Sequence, residues 1–206
     1  KGPHPAECTD RVLECCEAVV KGNWDHLVTK WKDRKFIQWH LARLGQARID
    51  RLYALPIYLE FRMSGRLIRL CHASPNDLFH RVFQHTEEHE RMKLFAPTET
   101  LDEVADVLGY GDIHGAYIEH FVGPQRGKVL FNAGSVGNPL EIPQASYAIL
   151  EGVYGSMEQQ SFSITLCRIP YDIEAAVRQA EATDMPHLEE YVRELRTGIY
   201  QQRDFR

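Results

Sequence analysis

The chain has 206 residues, 44% of them hydrophobic and 26% charged, with a formal net charge of −5. That length carries one domain with a sizeable core, and the acidic balance excludes the basic field on which nucleic-acid binding depends. No apolar run approaches the roughly 20 residues that cross a bilayer and no signal-peptide pattern is present, so neither nucleic acid nor membrane is expected as a partner.

In chain order, "HPAECTDRVLECCEAVV" places Cys8, Val12, Cys15 and Val19 near one helical face, with Pro5 suited to the first turn. Val19 and Val20 then read as a short buried strand ending at "KGNWD". Lys35 to Leu55 has a helical pattern, interrupted by Gly45 and stopped at Pro56. "IYLEF" and "RLIRLC" are strands on either side of "MSG", and the second runs straight into "HASP". Residues 76–95 read as helical and charged, and "TLDE" (Thr100 to Glu103) has a capping-box pattern that opens a short helix.

"DVLGY" is the next strand and delivers "GDIHGAY". The strands "YIEHFV", "KVLFN" and "SYAILEG" follow, with Arg126 in a hairpin turn, and "QQSFSITLCRI" closes the sheet region. Asp172 caps a helix with Ile173, Ala176, Val177 and Ala180 on one side, and Pro186 opens a last helix carrying Leu188, Val192 and Leu195. With no repeats, linker or low-complexity tract, residues 1–206 read as a single domain. Five cysteines without CxxC spacing suggest reduced thiols and a cytoplasmic protein. The chain opens with Lys-Gly-Pro rather than Met and reads as a sequence entered part-way.

Three of these strands end in residues able to bind metal: Asn23 and Asp25 in "GNWD", His72 in "HASP", and Asp112 with His114 in "GDIH". Singly, each is an ordinary turn or boundary residue. Together they matter more, because ligands in layered α/β proteins gather beyond the strand C-termini. Amide oxygen, imidazole and carboxylate suit a divalent ion such as Mn, Fe, Mg or Zn. "HTEEHE" sets His85 and His89 at i, i+4, enough for an adventitious metal, but a solvated charged helix is the better reading.

The succession "GNWD", "HASP", "GDIH", "FNAGSVGNP" and "ASYAILE" resembles the calcineurin-like metallophosphoesterases. The likeness is greatest to the bacterial branch of asymmetric diadenosine tetraphosphate hydrolases and small phosphodiesterases. It implies an α/β fold in which a two-sheet sandwich is flanked by helices in four αββα layers. The first βαβ unit, with its D-x-H and G-D motifs, is absent from this chain, so the chain alone is expected to be impaired.

The resemblance further implies two divalent metal ions, Mn favoured, with Asn23, His72, Asp112 and His114 as ligands. Asp112 stands where the family has a His, which favours harder ions. Trp24 stands where the family has the His that protonates the leaving group, and an indole cannot do that. A nucleotide phosphate, with a pKa of about 6, departs without such help. The Trp24 ring either stacks on a base or packs in the core. His80 and Arg81 are expected to reach substrate phosphates, and Asp25, Gly134, Ser135 and Gly137 to support the ligands from behind.

The expected activity is hydrolysis of a nucleotide-type phosphoanhydride or phosphodiester by a hydroxide held between the two metals. The alternatives are a Ser/Thr protein phosphatase and a degenerate, non-catalytic binder of a nucleotide or partner. The expected partner is a small-molecule phosphate ester or nucleotide, with oligomerisation left open.

Overall fold

The computed structural model describes residues 2–31 and 34–201. Strands β1 (Tyr58–Met63) and β2 (Arg66–Cys71) form an antiparallel hairpin across Ser64 and Gly65, whose φ angles are 50° and 75°. Two left-handed residues give a turn whose twist matches the strands it joins. β3 (Val107–Tyr110), β4 (Tyr117–His120) and β5 (Val129–Asn132) complete a five-stranded sheet in the order β1-β2-β3-β5-β4. β3 lies parallel to both β2 and β5, whereas β4 is antiparallel to β5.

The period-two alternation of these strands divides their side chains between two cores. Ile68, Val107 and Phe131 face Ala148, Leu150, Phe162 and Ile164. These belong to or flank a second, antiparallel sheet of β6 (Ala145–Glu151) and β7 (Ser163–Ile169). On the opposite face, Leu67, Cys71, Leu108, Tyr110 and Leu130 pack against Val82, Leu94, Phe95 and Phe121. Burial there pushes the Cys71 thiol up to about 12, against the opposing pull of Arg69.

After α1 (Pro5–Cys15), which buries none of its side chains fully, helices α2 (Asn23–Lys30), α3 (Lys35–Leu44) and α4 (Gln46–Ala54) build an apolar cluster of Val28, Phe36, Ile37, Leu44, Ile49 and Leu52. After the short α5 (Glu88–Met92), α6 (Ile173–Glu181) and α7 (Leu188–Thr197) pack on each other and on Trp39 of α3. Asp172 Oδ1 accepts the Ala175 amide at 2.8 Å, capping α6 as its sequence requires. The α/β class, with two facing sheets and flanking helices, is the one expected. None of the described helices is long and apolar enough to cross a membrane.

Four local expectations fail for identifiable reasons. Val19 and Val20 form no strand: Lys21 N donates to Pro56 O at 2.7 Å, and no described strand runs alongside to supply a ladder. Since α1 stops at Cys15, Val19 is also outside the helical stripe expected to include it.

Residues 76–87 are not helical, because side chains take the backbone bonds a helix would use. Asp77 Oδ1 accepts Phe79 N, Thr86 Oγ1 accepts Phe83 N, and Val82 O accepts the Tyr110 hydroxyl. Only α5 and a 3₁₀ turn at Lys93–Phe95 remain of the expected helix. His85 therefore shares no helical face with His89 and stacks on Phe83 at 5.3 Å instead.

"TLDE" is irregular as well. Thr100 Oγ1 donates to Glu60 Oε2 at 3.0 Å, and the buried Arg69 guanidinium donates to the carbonyls of Leu94, Ala96 and Glu103.

Candidate metal centre

β2 and β3 run parallel, so they end at the same edge of the sheet. His72 and Asp112 lie just beyond those ends. Gly111 N and Asp112 N both donate to His72 O at 2.9 Å, and His114 N donates to Gly111 O at 2.9 Å. The loop so formed holds His114 at a φ of 61°, a region a residue with a Cβ occupies only under local constraint.

Asn23 arrives differently from the expectation, as the first residue of α2 rather than the end of a strand. Gly22 N donates to Asp25 Oδ2 at 2.7 Å, which closes the first turn of that helix.

These segments meet at Asp112. Asn23 Nδ2 donates to Asp112 Oδ1 at 3.1 Å, and His72 Nε2 lies 3.4 Å from the same oxygen. The His72 nitrogen is close enough to feel the carboxylate but off the line of a hydrogen bond, and it is buried without a hydrogen-bond partner. Arg81 Nε donates to Asp112 Oδ2 at 2.8 Å and its Nη2 to Oδ1 at 3.3 Å.

The Asp112 side chain is only 2% exposed. Burial alone would raise its pKa, but the His72 and Arg81 side chains overcome that and hold the carboxyl down at about 2. Asp25 behaves oppositely: burial raises its pKa despite the Gly22 amide.

His114 lines the same cleft, and its Nδ1 sits 2.7 Å from Asn138 O. A carbonyl only accepts, so Nδ1 carries a proton; in the neutral ring this leaves the lone pair on Nε2, the tautomer of a metal-ligating imidazole. Asn138 is fixed in turn: its Nδ2 donates to Glu194 Oε2 at 2.9 Å, and its amide donates to Ser135 Oγ at 3.1 Å. Glu194, on α7, is fully buried, and its Oε1 accepts Gln201 N at 3.0 Å. Asn138 and Glu194 were missed in the sequence. The only sign of Glu194's burial is its place three residues from Tyr191 on the apolar side of α7.

The cleft has a volume of about 970 Å³. Asn23, His72, Asp112 and His114 supply polar groups, and Trp24, Trp31, Phe79, Phe83 and Tyr200 supply aromatic ones. Trp24 is braced from behind by Phe36 and His40, with ring centroids 5.8 and 5.2 Å away. Asp25, Arg81, Ser135 and Gly137 line the cleft; His80 and Gly134 do not. Gly134 supports it indirectly: at a φ of 74°, a Cβ there would sit 1.9 Å from Ser146 Oγ, the atom that accepts the Ser135 amide.

Among the described residues no three His, Cys, Asp or Glu side chains gather to hold a metal ion. The set at Asp112 is instead one carboxylate, one amide and one imidazole whose buried Nε2 lacks a hydrogen bond. That donor chemistry fits a divalent cation.

No family model matches the sequence, and no curated protein is significantly similar to it. Solved structures share its fold. A metallophosphoesterase from Sphaerobacter thermophilus is 18% identical with a TM-score of 0.71, over 96% of this chain and 84% of that one. The two-sheet fold described above is therefore shared with that metallophosphoesterase. A hypothetical protein from Pyrococcus horikoshii OT3, PH1004, is 16% identical with a TM-score of 0.72, over 97% of this chain and 82% of that one.

Proposed function

We propose that this protein is a metal-dependent phosphoesterase acting on a nucleotide-type phosphoanhydride or phosphodiester. The observation that carries this reading is the buried, ionised Asp112, which gathers Asn23, His72 and Arg81 at the ends of two parallel strands in a metallophosphoesterase fold. Asn23, His72 and Asp112 would hold a divalent cation, Mn favoured, with His114 contributing to a second. Such cations supply Lewis acidity to a phosphoryl oxygen and activate water.

The protein's own groups do the rest. Asp112 stays ionised at any physiological pH, so it competes for a cation without first losing a proton. Asn138 holds the His114 ring in one tautomer. Arg81 brings the positive charge closest to Asp112 on a planar fork suited to phosphoryl oxygens.

Trp24 offers no acidic proton, so the leaving group departs unassisted, as a nucleotide phosphate does with its pKa of about 6. An alkoxide, whether from serine, threonine or an unactivated diester, does not, which argues against a phosphoprotein substrate and favours the anhydride or an activated diester. Full-length protein with Mn is expected to hydrolyse diadenosine tetraphosphate or bis(p-nitrophenyl) phosphate in preference to a phosphoserine peptide. Failure to turn over any of the three, at any metal loading, would overturn the enzyme reading in favour of a non-catalytic binder.

A further inference from the structure

We propose that Arg81 is an exchangeable counter-ion. It occupies Asp112 while no divalent cation is present, gives up that carboxylate when one binds, and then turns its guanidinium to the substrate's phosphoryl oxygens. This rests on the metal-site reading above.

Both oxygens of Asp112 are engaged by the Arg81 guanidinium. A divalent ion on the same carboxylate therefore needs that guanidinium to move away, since two cations a few ångströms apart in a partly dry cleft repel strongly. Asp112 is also too deeply buried to be left unpaired, so some cation must occupy it at all times.

Arg81 is built for the exchange. Its backbone is fixed: Val82 is 1% exposed, and its carbonyl accepts the Tyr110 hydroxyl at 2.8 Å, which is itself 2.8 Å from the Tyr117 hydroxyl. Its head is not. The side chain is 42% exposed and borders the cleft, whose wall also includes Tyr200. Arg69 shows the contrasting design: fully buried, tied to Glu60 and to three carbonyls, it has nowhere to go.

Arg81 thus opposes one ligand and favours the other, and its removal should move the two affinities in opposite directions. Calorimetric titration of the full-length protein with Mn, and with orthophosphate at saturating Mn, tests this on wild type, Arg81→Met and Arg81→Lys. Arg81→Met is expected to bind Mn about fivefold more tightly or better. Its Mn-loaded form is expected to bind orthophosphate about tenfold more weakly or worse. Arg81→Lys keeps the charge but loses the fork, so it should fall between the two.

Mn affinity that is unchanged or weaker in Arg81→Met, with wild type binding normally, overturns the proposal. Tighter Mn binding with unaltered orthophosphate binding overturns its substrate half. If Arg81→Met does not fold, the same two signs are read from Arg81→Lys, and their absence is equally fatal. Absence of Mn binding in wild type and both variants would bring down the metal-site reading itself, and this proposal with it.

Discussion

Asp112 and Gly134 show what individual positions contribute to the centre. Asp112 supplies a charge that three neighbours share, and Gly134 supplies nothing but the absence of a side chain. Gly134→Ala forces a left-handed backbone on a residue with a Cβ and drives that carbon into Ser146 Oγ. It is expected to cost at least about 2 kcal/mol. The corresponding drop in melting temperature is about 4–8 °C for a chain of this size, read by thermal denaturation.

At this scale much of the candidate site was legible. Asn23, His72 and Asp112 are ligand-type residues in a recognisable order, and the structure places them in contact. Asn138 and Glu194 were not legible, because their roles arise only when α7 packs against the turn after β5 and delivers a carboxylate to an asparagine 56 positions away.

Among the elements, β2, β3 and β5 could be read directly, since each alternates between two apolar cores. In two of the failures a local helical pattern was overridden by other partners. "TLDE" lost its helix to Glu60 and Arg69, and residues 76–87 lost theirs to Tyr110 and to their own polar side chains.

Helix α3 carries a pH-sensitive element of the same kind. His40 is 6% exposed, with Nδ1 2.7 Å from Phe36 O, and burial lowers its pKa to about 4 in spite of that carbonyl. Unfolded, the ring takes a proton near pH 6.5. Above that pH both states are neutral and His40 contributes nothing to pH dependence. Between about pH 6.5 and 4 the unfolded chain binds more protons, so stability falls as acid is added, by about 3 kcal/mol in all. Urea titrations at pH 7 and pH 4.5 should show that loss in wild type, and His40→Gln should remove most of it.

For the whole molecule, the five-stranded sheet is the common support. One face carries the seam to β6 and β7, the other carries the segment that positions Arg81, and its strand ends present His72 and Asp112. Opening this sheet would dissolve all three at once. Cys71 offers a natural clock for that event. Its sulfur is sealed in the core immediately before His72, whereas Cys8, Cys15 and Cys16 stand in solvent. An alkylating reagent should modify those three promptly and reach Cys71 only when β2 comes free. Manganese, if it binds the native state, should slow that late alkylation in proportion to its occupancy. A rate indifferent to manganese would mean that the ion does not rest on the edge that Cys71 guards.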